Sequence, residues 1–461
     1  MKPQIFRRTA SDSVNKKILR AAVVIGVLTL VTRTGTIVKE LIVARSFGRS
    51  DAFDAFLIAF LLPSFVVTIV SGTMGSALVP VFIEVQEKKG RDSAERLLSS
   101  ISLISAVVLA VISLFLGLFA PNYLPYLAHG FSPEKLRLTC ELLYVLLPWV
   151  VLSGTVQLIT YILNAGERFA LPALVPLATP LLVIGFVMVI GRSQGAIALS
   201  AGSLTGSALE ATFLVSMLRA HGMRLRSWMG ADRESVRNVL TQSGPLLAGA
   251  FLMASIPVVS QSLAATLPAG SVSALAYANR LIGGITALGA TALSTATLPY
   301  FSRMAVEKDW AACRHTLKRY STLLLVTTVP FTLFVMALSR YLIKLLYQRG
   351  AFTAADTDLV ARLQIFLAVQ IPFVLLTALF VRFISAIRRN HLLTYVSAIN
   401  LTVNIVLSLT LMRIWGVAGI AVSISIMYIV SFLFLAGCTI LLLARKRLSV
   451  LSPVPVHDAH N

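Results

Sequence analysis

Runs of about twenty apolar residues recur along the whole chain, and each is long enough to cross a hydrocarbon layer as a helix. They are read near 21–46, 53–83, 97–120, 138–164, 170–190, 195–218, 238–266, 271–302, 318–339, 359–387, 392–412 and 417–443. Hydrophobic residues make up 57% of the 461 and charged ones 13%, against about 25% charged in soluble domains. The chain is therefore expected to be an all-α polytopic membrane protein of about twelve transmembrane helices.

The first run breaks its own pattern. In Ala21 to Ala44 twelve apolar residues are followed by Arg33, Lys39 and Glu40. A charge at mid-bilayer costs about 2.5–3.5 kcal/mol on insertion scales, and it persists where it faces a bundle interior or a watery cavity. Thr29, Arg33, Thr36 and Glu40 follow i, i+4, i+7, i+11 spacing, which places them on one helix face opposite Ile, Leu and Val. Further polar residues sit in or beside later runs: Asp54 opens the second, Asn279 and Arg280 lie in the eighth, and Arg382 in the tenth. The set carries four cations against Glu40 and Asp54. Internal ion pairing, for instance Arg33 or Lys39 with Glu40 or Asp54, is the plainest role for such residues. An excess of cations in a central cavity would suit an anionic substrate, and the planar fork of Arg suits phosphate or diphosphate. Arg382 lies near enough to a span end to snorkel.

Of 40 Lys and Arg, 26 fall on one side of the expected spans and 10 on the other, with four inside them. The bias places both termini in the cytoplasm and makes the span number even. The halves also repeat. GSALVPVF (75–82) resembles STATLPYF (294–301), GFSPE (130–134) resembles GAFTAAD (350–356), and ILNAGERF (162–169) resembles ISAIRRNH (384–391). The nearly constant offset predicts two six-helix lobes related by a pseudo-twofold along the membrane normal, with a central cavity. The domains expected are a cytoplasmic tail at 1–20, an N-lobe at 21–218, a basic linker at 219–237, a C-lobe at 238–444 and a second cytoplasmic tail at 445–461. Ten prolines inside the spans predict kinked helices. Ser132 before Pro133 and Glu134, and Thr353 before Asp356, read as helix caps.

The net charge of +21 sits in short runs at span ends, not in a domain that could hold nucleic acid. Cys140, Cys313 and Cys438 are scattered and form no metal spacing. GTMGS (72–76) lacks the lysine and strand of a phosphate loop. No enzymatic signature is present and no metal site or cofactor is expected.

Five blocks carry a family resemblance: residues 32–65, ALVPVF (77–82), AGSVSALAYANRL (269–281), LPYFSR (298–303) and QRGAFTAADT (348–357). From about residue 20 to 444 the chain resembles the MviN/MurJ family of the MOP exporter superfamily. That resemblance implies flipping of an undecaprenyl-diphosphate-linked saccharide, typically lipid II, across a bacterial inner membrane by alternating access of two lobes. Lipid-linked oligosaccharide and membrane lipids would be the partners, with room for glycan-assembly proteins. A coupling cation (Na+ or H+) or the membrane potential would drive the cycle. The resemblance places Arg33, Lys39 and Arg280 on the substrate diphosphate, with Glu40, Asp54, Asn279 and Arg382 supporting them or carrying a coupling ion. There are departures. Val67 and Thr68 stand where the family usually has an arginine pair, a span-2 Glu is replaced near Ser71, and Asn279 replaces an Asp. Relatives also tend to have fourteen spans. A flippase for exopolysaccharide or O-antigen units stays open beside lipid II. A drug antiporter of the same superfamily would need an acidic cavity, and a non-transporting scaffold would tolerate loss of Arg33 and Arg280.

Overall fold

The computed structural model describes residue 28 and residues 31–165, 174–220 and 232–451. The expected tail 1–20, most of the linker, Thr29 and Arg168 lie outside the described residues. Every regular element among those described is helical. α1 covers 31–47. It is followed by α2 (Asp51–Lys89), α3 (Arg91–Leu118), the short α4 (Ala120–Leu127) and α5 (Pro133–Ala165). A single 3-10 turn, Val175–Leu177, leads into α6 (Ala178–Gln194), then α7 (Ile197–Ala220) and α8 (Arg233–Ala265). The rest are α9 (Ser271–Val306), α10 (Trp310–Tyr347), α11 (Ala354–Ala368), α12 (Gln370–Ala386), α13 (His391–Trp415) and α14 (Val417–Leu451).

Eleven stretches among the described residues are long and apolar enough to cross a membrane, α11 and α12 together making one of them. α1 is the described part of the expected first span. The chain is an all-α multi-pass membrane protein, with each later span close to its expected place. The helices run further than the apolar segments, because polar residues at their ends cap them. Ser50 Oγ accepts the Phe53 N–H at 3.3 Å to start α2. Ser132 Oγ accepts the Lys135 N–H at 3.3 Å to start α5, and Asp232 Oδ1 accepts the Glu234 N–H at 3.1 Å to start α8. Each bond satisfies a donor that the first helical turn leaves open.

Pro63, Pro80, Pro148, Pro299 and Pro330 lie inside helices that continue past them. Pro372 acts differently. It cannot donate to the carbonyl of Ala368, and α11 ends at Ala368 with α12 beginning at Gln370. Pro121 does the same at the start of α4, just after α3 ends at Leu118.

The chain forms two compact units. Unit 1 holds residues up to 254 with 268–270 and 347–353; unit 2 holds 255–267, 271–346 and 354 onward. In unit 1, α2 packs on α3 and α5, α5 on α7, and α6 on α7. One core gathers Leu78, Phe82, Leu97, Ile101 and Leu158; another joins Ile159 and Leu163 to Leu214 and Leu218. In unit 2, α9 packs on α12, and α13 on α14, around Phe301, Phe383, Leu379 and Leu435.

The repeat is visible in the elements themselves. The starts of α2 and α9 (51 and 271), α5 and α11 (133 and 354), and α7 and α14 (197 and 417) are 220 or 221 residues apart. The turns before α7 and α14 each place a glycine in the left-handed region, Gly195 at φ 54 and Gly416 at φ 57, where a side chain would be strained.

Candidate functional site

In unit 1 the predicted polar face of α1 runs from outside to inside. Arg33 is exposed, Thr36 half-buried and Glu40 buried. Thr32 and Thr36 turn their hydroxyls back on the helix, donating to Leu28 O at 3.0 Å and Thr32 O at 3.1 Å. These bonds satisfy the hydroxyls and leave the charged groups to define the face. Lys39 Nζ lies 2.8 Å from Glu40 Oε1, so neighbouring residues form the first ion pair. Glu40 thereby holds the ammonium in place and cancels part of its charge. Arg33 is about two turns away, with its guanidinium open to the surroundings.

Asp54 belongs to a different group. It is 1% exposed, and its Oδ2 accepts from Lys135 Nζ at 3.0 Å and from the Gly270 N–H at 2.8 Å. Lys135 also donates to Asp51 Oδ1 at 2.6 Å and sits 3.9 Å from the centre of the Phe131 ring. The same segment is held by Arg49 Nε donating to Gly270 O at 3.1 Å. Asp54 thus has a cation of α5 as a partner. Lys135 was not among the residues singled out from the sequence. In the sequence it falls between two apolar runs, and in the structure it occupies the first turn of α5.

In unit 2, Asn279 is exposed and Arg280 half-buried, both on α9. Arg382 is half-buried on α12, with a buried Nε that has no hydrogen-bond partner. α9 and α12 run side by side, with Gly289 facing Leu375 and the Phe301 and Phe383 rings 5.6 Å apart. Arg382 is therefore level with Phe301, about 30 Å along α9 from Arg280 at 1.5 Å per residue. The structure does not bring these two arginines together.

The positions that depart from the family pattern are also placed. Val67 is 6% exposed and Ser71 fully buried. Ser71 faces α5, where a methyl on Gly154 would lie 2.7 Å from its Oγ. Thr68 alone of the three is exposed, and its hydroxyl donates to Ser64 O at 2.8 Å. No group of three or more His, Cys, Asp or Glu side chains suited to a metal ion occurs among the described residues.

Residues 43–452 match the profile of the family described as lipid II flippase MurJ. The chain belongs to that family. The match begins after Arg33, Lys39 and Glu40 and includes Asp54, Asn279, Arg280 and Arg382. A probable lipid II flippase from Thermotoga maritima is 27% identical over 417 residues, covering 88% of this chain and 82% of the relative. Another from Rickettsia prowazekii is 24% identical, covering 89% and 81%. Among solved structures, a lipid II flippase in an inward closed conformation aligns with a TM-score of 0.79 at 23% identity, covering 93% of this chain and 91% of the other. An inward-facing multidrug transporter of the MOP superfamily aligns at 0.73 and 14% identity, covering 92% and 99%. The fold is common to both kinds of transporter, so the fold alone does not choose between their cargoes. The family is one of transporters, not of catalysts.

Proposed function

We propose that the protein flips an undecaprenyl-diphosphate-linked saccharide, lipid II first among them, across the bacterial inner membrane by alternating access of two six-helix lobes. The observation that carries this reading is the family match across 43–452. The chemistry of the polar set supports it. Arg33 and Arg280 present planar donor forks, and Lys39 adds a point charge steadied by Glu40 at 2.8 Å. A diphosphate offers acceptors for all three. The repeat of element starts supports lobes related by an axis along the membrane normal, and the Lys and Arg bias supports cytoplasmic termini. Rocking of the lobes would expose the head group to one side and then the other while the lipid tail stays in the bilayer. Glu40 and Asp54 hold cations on this reading, and a cation or the membrane potential supplies the energy. Val67, Thr68 and Ser71 stand where the family usually has charged residues, which favours a second cargo on the same diphosphate carrier, an exopolysaccharide or O-antigen unit.

The test is the double substitution Arg33→Ala with Arg280→Ala in vesicles carrying labelled lipid II. Each charge-assisted contact is worth about 1.5–3 kcal/mol, roughly tenfold or more in binding. Flipping is expected to fall by that much per residue in protein that still inserts normally. Retained flipping overturns the mechanism. Failure of the intact chain to replace a depleted lipid II flippase in cells would move the cargo to the second reading.

A further inference from the structure

Glu210 lies within α7, in a stretch apolar enough to cross a membrane, and is 7% exposed. Its Oε1 accepts the backbone N–H of Thr179 at 3.1 Å, in the first turn of α6. Among the described residues no ion pair with Glu210 is seen, and its hydrogen-bond partner is Thr179. Two effects therefore oppose each other. Burial without a counter-charge favours the neutral acid. The amide at a helix start favours the anion.

The groups on the packed elements do not resolve this balance. α7 packs on α5, α6 and the turn at Val175–Leu177. The turn carries no titratable side chain. α6 carries Arg192 alone, thirteen residues and about 20 Å beyond Thr179. The charged residues of α5 (Glu134, Lys135, Arg137 and Glu141) and its Cys140 and Tyr144 lie near its start, none of them beyond Tyr144. Gln157 and Tyr161 of α5 face Gly72 and Gly75 of α2, and α5 meets α7 through Ile159 and Leu163 against Leu214 and Leu218. On α7 itself the other charge is Arg219, in the last turn.

The second repeat shows that the helix pair does not need an acid. At an offset of 221, Thr179 corresponds to Asn400 and Glu210 to Ser431. These meet as a neutral pair, Asn400 Nδ2 donating to Ser431 Oγ at 3.3 Å. The same joint closes in unit 2 without any ionisable group, so the carboxyl in unit 1 has a use beyond closing it. We propose that Glu210 is a proton-binding site in unit 1, loaded from water and returned to water as the transporter cycles. The coupling role rests on the proposed flipping function; proton binding does not. No other bond changes: the carboxylate takes H+ to become the acid and gives it back.

The test uses the full chain in lipid and begins with pH-titrated infrared difference spectra. A protonated-carboxyl band that titrates in the parent and is missing in Glu210→Gln is expected, since Gln keeps an acceptor for Thr179 and cannot titrate. Should that variant fail to fold, Glu210→Ser, which copies Ser431, serves instead. A parent without the titrating band, or a band that survives both substitutions, overturns the site. In vesicles, a pH gradient should change the flipping rate of the parent and leave the Gln variant unaffected. A gradient response that persists in the variant overturns the coupling role. Absence of lipid II flipping in the parent would sink the proposed cargo while the spectra still judge the site.

Discussion

The α6–α7 pair of unit 1 and the α13–α14 pair of unit 2 occupy the same place in the repeat and are joined by different means. α7 approaches α6 through glycine. A methyl on Gly202 would lie 2.7 Å from Val183 Cα, and one on Gly206 would lie 2.5 Å from Thr179 Cα. The corresponding residues of α14 are Ser423 and Met427, both essentially buried. There the contact is made by side chains, with Ser408 and Ser423 hydroxyls 2.6 Å apart. Unit 1 thus brings backbones together, which maximises dispersion contacts in a solvent that supplies no hydrophobic drive. At the matching positions unit 2 keeps a side chain's width and fills it with a hydrogen bond, and its backbones close up only nearer the turn, where a methyl on Gly419 would meet the Leu411 carbonyl. The difference extends to the helix starts. Asp51, Asp54 and Lys135 form an ion triad in unit 1, whereas the residues 220 or 221 positions on are Ser271, Ala274 and Asp356. One architecture therefore tolerates close backbone packing, neutral hydrogen bonds or buried charge at equivalent places.

Breaking the triad should have the largest effect. Lys135→Met takes from buried Asp54 the ammonium that its Oδ2 accepts from. Removing one partner of a buried pair costs about 3–5 kcal/mol. The matching change in unit 2, Asp356→Ala, removes a helix-start charge worth about 0.3–1 kcal/mol. Thermal unfolding of the two variants in detergent should separate them clearly. Equal, small losses would show that the triad is dispensable and that the two helix starts are alike.

Next comes the glycine approach. Gly206→Leu must push α6 and α7 apart or strain them, at about 1–3 kcal/mol for an overpacked interface. Met427→Leu conserves volume and should cost under about 1.5 kcal/mol. The same unfolding measurement compares them. A Gly206 variant as stable as the Met427 variant would mean that the short backbone distance in unit 1 carries no packing energy.

These joints also mark how far the sequence could be read. The spans were legible because lipid offers one answer to a long apolar run, and the repeat was legible because Pro80 and Pro299 punctuate it. The Lys39–Glu40 pair was within reach, since adjacent opposite charges in a span must answer each other. Lys135 was not, because its partner lies 81 residues away and its position between loop and helix depends on where the Ser132 cap falls. Glu210 lies in the second half of its apolar run, and nothing local in the sequence reveals that Thr179 meets it. The gap between Arg280 and Arg382 was legible only in part, from the place of Arg382 near a span end. Both are arginines in apolar helices, and the side-by-side run of α9 and α12 shows how far apart they lie.

The smallest effect tests the comparison most finely, because opposite edits are made at one repeated position. Ser423→Ala removes a hydroxyl whose partner Ser408 is fully buried, and such bonds between membrane helices average about 0.6 kcal/mol. Gly202→Ala adds the methyl that Ser423 already accommodates. In unit 1 that methyl meets the Val183 backbone, which cannot rotate away as a side chain can. The added methyl should therefore destabilise more than the lost hydroxyl, although alanine is the better helix former by about 1 kcal/mol. If Gly202→Ala instead stabilises the protein, the helix propensity gained exceeds the packing lost, and the close approach in unit 1 follows from having glycines there without depending on them.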